Sequence, residues 1–122
     1  MARVFIVQEP LLDRSGVKPP KDLSSLSKYG EIVYLLHRHD RGTDNPNRVL
    51  SLLESRLDDF IPEEDFILNL GSDPVSSVLI GMALERITPL EVTFLKWEKK
   101  RNEDGSLSRE GFYVPVKLIL PP

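Results

Sequence analysis

Apolar residues gather into five short runs rich in β-branched and aromatic side chains: Arg3 to Val7, Glu31 to Leu36, Asp65 to Leu70, Val92 to Trp97 and Phe112 to Leu120. Each is bounded by polar, proline or glycine positions, a pattern that predicts strands. The first three contain VFIV, IVYLL and FILNL, with no regular alternation of apolar and polar residues. A strand that is apolar on both faces belongs in a sheet covered on both sides, which points to parallel strands joined by helical crossovers.

The connections agree with that reading. A proline-rich arm, residues 9–21, precedes DLSSLSKYG, where Asp22 can cap a short helix and Gly30 can end it. In DNPNRVLSLLESRLDDF, Asn45 is a cap candidate and Pro46 suits the first turn, while Val49, Leu50, Leu53, Leu57 and Phe60 form one apolar stripe. After the third strand, Asp73 and Pro74 open a helix carrying Val75, Val78, Leu79, Met82 and Leu84. Being apolar around most of its circumference, this helix is expected to be deeply buried or to lie against a partner.

The last two runs follow a different pattern. Residues 98–111, EKKRNEDGSLSREG, hold turn residues and no apolar stripe, so they read as the loop of a long hairpin with an antiparallel fifth strand. Pro115 lacks a ladder donor and places that strand at the sheet edge or at a bulge. The expectation is a single α/β domain over residues 1–122. Its architecture is a three-layer α/β/α sandwich, with a mostly parallel sheet of about five strands and a C-terminal antiparallel β-hairpin.

Composition narrows the chemistry. The absence of cysteine excludes disulfides, thiolate zinc sites, iron–sulfur clusters and a cysteine nucleophile, and fits a reducing cytoplasm. No run approaches the ~18 apolar residues of a membrane span, so a soluble cytoplasmic protein is expected. A net charge of −3 argues against a broad electrostatic grip on nucleic acid.

In a parallel sheet the carboxyl ends of the strands share one rim, where ligands usually bind. That rim gathers Gln8 and Glu9, the loop with His37, Arg38, His39, Asp40 and Arg41, and Gly71, Ser72 and Asp73. Amides at the helix start could hold an anion, yet neither phosphate-loop spacing, G-x-x-x-x-G-K-[ST] or G-x-G-x-x-G, is present. Asp73 would also occupy those amides and repel the ligand, so a structural corner is favoured. His37 and His39 lie on one side of an extended segment near Asp40 and Asp44, but a metal would need a distant third ligand such as Glu9 or Asp73. A polar loop is the simpler account, and no metal or cofactor is expected. Ser72 lacks the G-x-S-x-G elbow, and Ser76 and Ser77 sit where serine commonly bonds only backbone, so no catalytic residue is assigned.

The hairpin sets Lys96, Lys99, Lys100, Arg101, Arg109 and Lys117 beside Trp97, Phe112 and Tyr113, a mixture that can grip single-stranded nucleic acid. Glu98, Glu103, Asp104 and Glu110 dilute the charge, and a Trp97–Tyr113 cross-strand pair explains the aromatics more simply. The order of Tyr29-Gly-Glu-Ile-Val33, Gly71-x-Asp-Pro74, Leu95-Lys-Trp97 and Tyr113-Val-Pro115 resembles a group of small uncharacterised tailed-bacteriophage proteins, over about Asp22 to Leu120. The resemblance implies an accessory role inside the infected cell and brings no catalytic residues with it. The leading expectation is a non-enzymatic binding protein that self-associates and contacts a host or phage protein. The alternatives are a nucleotide- or anion-binding Rossmann-like domain or small hydrolase using the rim, and nucleic-acid binding by the hairpin.

Overall fold

A computed structural model of the chain describes residues 2–9, 24–70, 73–87 and 91–119. The strands are β1 (Arg3–Gln8), β2 (Glu31–Leu36), β3 (Phe66–Leu68), β4 (Glu91–Arg101) and β5 (Leu107–Ile119). They form one mixed sheet in the order β2-β1-β3-β4-β5. Phe5 lies opposite Val33 of β2 and Ile67 of β3, and Ile67 lies opposite Phe94 of β4, all in parallel pairs. β5 pairs antiparallel with β4 and forms the edge, where Pro115 stands opposite Leu95 without a break in register.

Two helices follow the cues in their sequences. α1 (Pro46–Arg56) starts at Asn45, whose side chain accepts a hydrogen bond from the Arg48 amide at 3.2 Å, and its Pro46 needs no donor in the first turn. α2 (Pro74–Ile87) starts directly after Asp73. Both helices contribute to one core: Val49, Leu53, Leu79, Ile80 and Ala83 pack with Phe5, Val7, Leu35, Ile67 and Val92. Alternation sends Val4, Ile6, Leu68, Leu95 and Tyr113 to the opposite face, where Leu26 and Tyr29 of the short 3₁₀ helix Ser24–Lys28 and its following turn cover them.

Both α-helices therefore share one face of the sheet, and among the described residues the other face carries only this single 3₁₀ helix. The proline-rich arm, apart from Glu9, and the Asp22 cap lie outside the described residues. α2 is not deeply buried, the first of the two expected outcomes: Ser76, Leu79, Ile80, Ala83 and Leu84 face inward, whereas Val78 and Met82 are exposed, as the alternative of a helix lying against a partner requires. An amphipathic helix needs only one stripe against a sheet, so its remaining apolar positions are left in water. The hairpin is also longer than its polar composition implies. The ladder runs to Arg101 and resumes at Leu107, so residues 98–111 are mainly strand around a turn at 102–106. A ribbon wetted on both faces needs no apolar alternation, and this removes the signal by which such a strand is read.

β3 is shorter than its predicted run, and Asp65, just before it, makes a tertiary contact of its own. Its carboxylate is buried, and it accepts hydrogen bonds from the amides of Arg3 at 2.9 Å and Ile61 at 2.8 Å. It also accepts one from the Arg3 guanidinium at 3.0 Å. This ties the start of β1 to the loop before β3 and sets their parallel register. Asp65→Ala would strand two main-chain donors and take from Arg3 the buried one of its two carboxylate partners, with an expected loss of about 2–4 kcal/mol, read as a lower urea midpoint at unchanged slope. Asp59→Ala, which removes the exposed partner of the same guanidinium, should barely move that midpoint.

Candidate functional site

The chain leaves β1 toward β2 on one side and returns past it to β3 on the other, so the carboxyl ends of β1 and β3 flank the crevice where α/β sheets usually bind ligands. Here the protein's own β2–α1 loop crosses that crevice. At one end Gln8, buried at the tip of β1, donates from Nε2 to the carbonyls of His37 at 3.2 Å and Asp40 at 3.0 Å. At the other end Gly42 N donates to Asp73 Oδ2 at 3.1 Å and to Ser76 Oγ at 2.9 Å. Thr43 Oγ1 donates to Asp73 Oδ1 at 3.0 Å.

Asp73 is also the cap of α2. Its Oδ1 accepts from the amides of Val75 at 3.0 Å and Ser76 at 3.1 Å, and its Oδ2 accepts from Ser76 Oγ at 3.0 Å. A Cβ at Gly42 would lie 2.8 Å from Ser76 Oγ and 2.9 Å from Ser76 N, so this approach requires glycine. The helix amides that could receive a phosphate already hold a carboxylate, with the Gly42 main chain laid against them. Burial pushes the Asp73 carboxyl upward, but the hydrogen bonds from Ser76, Thr43 and Val75 outweigh it and hold the group below its ordinary value.

The remaining rim acids have partners too. Glu9 Oε1 accepts from Arg38 Nε at 2.8 Å and Nη2 at 2.6 Å. Asp40 accepts from Arg48 Nη1 at 2.9 Å and the His37 amide at 3.2 Å, and the Arg48 contact is the chief cause of its lowered pKa. His37 and His39 are exposed around the Arg38 turn, and among the described residues no cluster of three or more His, Cys, Asp or Glu side chains could hold a metal. Gly71 and Ser72 lie outside the described residues.

Sequence reasoning named Glu9, Asp40 and Asp73 and missed Arg38, Arg48, Gly42 and Thr43 as their partners. Glu9–Arg38 and Gly42–Asp73 join residues far apart in the chain, and only the Arg-Gly-Thr turn signal hinted at Gly42. Ser76 does more than the backbone bonding expected of it, since its hydroxyl bridges Asp73 and Gly42.

On the ribbon, Trp97 stands opposite Tyr113 with ring centroids 4.8 Å apart at 68°, the cross-strand aromatic pair anticipated from sequence. Gly111 lies beside the same indole: a Cβ there would come within 2.5 Å of Trp97 Cε2 and Cζ2. Tyr113 is buried, and its carbonyl accepts from Tyr29 Oη at 2.8 Å. Stacking on bases needs open ring faces, and this pair has turned its rings inward. Lys96 bonds to Glu98 at 2.6 Å, while Lys99, Lys100 and Arg101 are exposed at the distal end of β4, where Arg101 donates to the Gly105 carbonyl at 3.1 Å.

Among the described residues, no helix covers the ribbon on the face that carries α1 and α2. Phe112, Val116 and Leu118 are 41%, 40% and 49% exposed, with Val114 half-buried between them. Beside them is a hollow of about 380 Å³ whose lining includes Asn69, Phe94, Lys96, Val116 and Leu118.

Compared with known protein families, residues 2–107 match the family described as Phage Pam3 gp32-like protein, a stretch running from β1 to the first residue of β5. No curated protein and no solved structure matches the chain.

The clip at Asp73 has a measurable signature. Asp73→Ala should cost about 1–2 kcal/mol near neutral pH, the range for losing a helix cap. The carboxyl's pKa is lowered in the folded state, so its contribution is full above the unfolded value near ~4 and is lost as pH falls through the folded value. The gap in urea midpoint between wild type and variant should therefore narrow on acidification below about pH 4.

Proposed function

This chain belongs to the family of Phage Pam3 gp32-like proteins, and on that footing we propose that it is a non-enzymatic phage accessory protein acting by contact with another protein. The contact surface is the open face of the β4–β5 ribbon. One contrast supports this reading: Glu9, Asp40 and Asp73 are paired within the chain, whereas Phe112, Val116 and Leu118 are exposed on a part of the sheet that, among the described residues, no helix reaches.

An exposed apolar stripe is costly in isolation and marks an interaction surface when it is contiguous. Surface charge favours a protein over a nucleic acid as the partner. Net charge is −3, and Lys96 on the stripe's own face is answered by Glu98. Among the described residues no helix is long and apolar enough to cross a membrane.

The competing use of the molecule is ligand binding at the crevice between β1 and β3, and melting temperature separates the two. Adding nucleotides, inorganic phosphate, magnesium or zinc at about 1 mM should leave the transition in place, because a ligand raises it only by binding the native state. A rise of several degrees that disappears in Asp73→Ala would overturn the contact reading.

A further inference from the structure

We infer that Asp104–Gly105, at the tip of the ribbon, is the bond at which this chain isomerises to isoaspartate, and that Ser106 sets the rate by holding the Asp104 carboxylate out of the reaction. The sequence contains one Asp-Gly pair and no Asn-Gly pair. Glycine gives the attacking amide no side chain to hinder it, so this aspartate closes a five-membered imide ring more readily than the others in the chain.

The surroundings of the bond are open. Asp104 and Gly105 are exposed, and a Cβ built on Gly105 would meet nothing within 4 Å, so neither water nor the ring is crowded. The hydrogen bonds of the turn act in the opposite direction. Gly105 N donates to the Asn102 carbonyl at 3.0 Å, and Gly105 takes a left-handed φ of 88° at the end of the turn. Asp104 Oδ1 accepts from the Ser106 amide at 2.9 Å and from Ser106 Oγ at 2.6 Å. The same hydroxyl accepts from Asn102 Nδ2 at 3.0 Å, and Asn102 N donates to the Ser106 carbonyl at 2.8 Å.

Ring closure needs what these contacts withhold. The Gly105 nitrogen attacks Asp104 Cγ: a Cγ–N bond forms, a Cγ–O bond breaks, and the carboxyl's hydroxyl leaves as water with the amide proton. Only the protonated carboxyl carries that leaving group. Hydrogen bonds from the Ser106 side chain and then its amide hold the Asp104 carboxyl below its ordinary value, so the reactive form is scarcer in the folded turn than in an unfolded chain. The donated Gly105 amide must also leave the Asn102 carbonyl before it can attack. Water then opens the imide at either carbonyl, returning aspartate or leaving isoaspartate, with no net change in mass. Isoaspartate carries the main chain through Cβ and Cγ, and the added backbone carbon breaks the pairing of Asn102 with Ser106.

The test holds the full-length protein at about 37 °C from about pH 7 down to about pH 4, the ordinary carboxyl range. Trypsin then releases Asn102 to Arg109 as one peptide, whose two isomers of equal mass separate by chromatography, and heavy-oxygen water marks each ring opening. Near neutral pH, isoaspartate at residue 104 should accumulate at least about fivefold more slowly in the folded protein than in the same chain unfolded in guanidinium chloride, the worth of about one hydrogen bond. Ser106→Ala, at an exposed tip where the melting temperature should not move, should raise the folded-state rate about three- to tenfold. Ser106→Thr, which keeps the hydroxyl, should not. The excess of Ser106→Ala over wild type should shrink toward about pH 4, where both carboxyls become protonated, whereas a merely looser turn would keep it constant.

A folded wild type that reacts as fast as the unfolded chain overturns the proposal, as does Ser106→Ala reacting no faster than wild type. An excess that stays constant over that pH range, or isoaspartate accumulating first at another aspartate, overturns it as well.

Discussion

The arrangement turns on the carboxylate of Asp73. It caps α2 through the amides of Val75 and Ser76 while holding Gly42 and Thr43 of the distant β2–α1 loop. One charged group thus satisfies donors from two segments that must otherwise find separate partners. The loop is fixed across the crevice between β1 and β3, with Gln8 bracing it from below. An α/β sheet normally leaves that crevice to a ligand, whereas here the chain has laid its own main chain into it.

This closure changes what the fold can offer. Glu9 pairs with Arg38 and Asp40 with Arg48, so both rim acids tie neighbouring loops together. Apolar side chains also face solvent on β5, beside a hollow, as Val78 and Met82 do on α2. α1 and α2 pack side by side over the parallel strands, and two helices do not reach the outermost antiparallel strand. The open stripe follows from covering a five-stranded sheet with two helices on one side.

The ribbon keeps its shape without a conventional core. Trp97 lies against Tyr113 and across Gly111, where any side chain would collide with the indole, and Tyr29, in the turn after the 3₁₀ helix, anchors the Tyr113 carbonyl. Trp97 and Tyr113 thus pack against each other on the face covered by Tyr29, while Phe112 on the opposite face is exposed. The same packing fixes which β5 residues turn outward, since Tyr113 inward requires Phe112 and Val114 outward.

The amino-acid sequence by itself determined the existence and order of the five strands and two α-helices and the Asn45 and Asp73 caps, because these depend on local periodicity and turn chemistry, whereas Pro115 left an edge or a bulge open for β5 and the reach of β4 and β5 into residues 98–111 carried no apolar signal. It also disclosed Trp97 facing Tyr113, a pairing that follows once a hairpin is assumed. Only the tertiary structure decided that both α-helices lie on one face, that α2 leaves Val78 and Met82 in water, and that Asp65, Gln8 and Ser76 are buried with partners far along the chain. The physical reason is range: capping and alternation act within a few residues, whereas Arg38 meeting Glu9, or Gly42 meeting Asp73, depends on how the sheet brings separate loops to one edge.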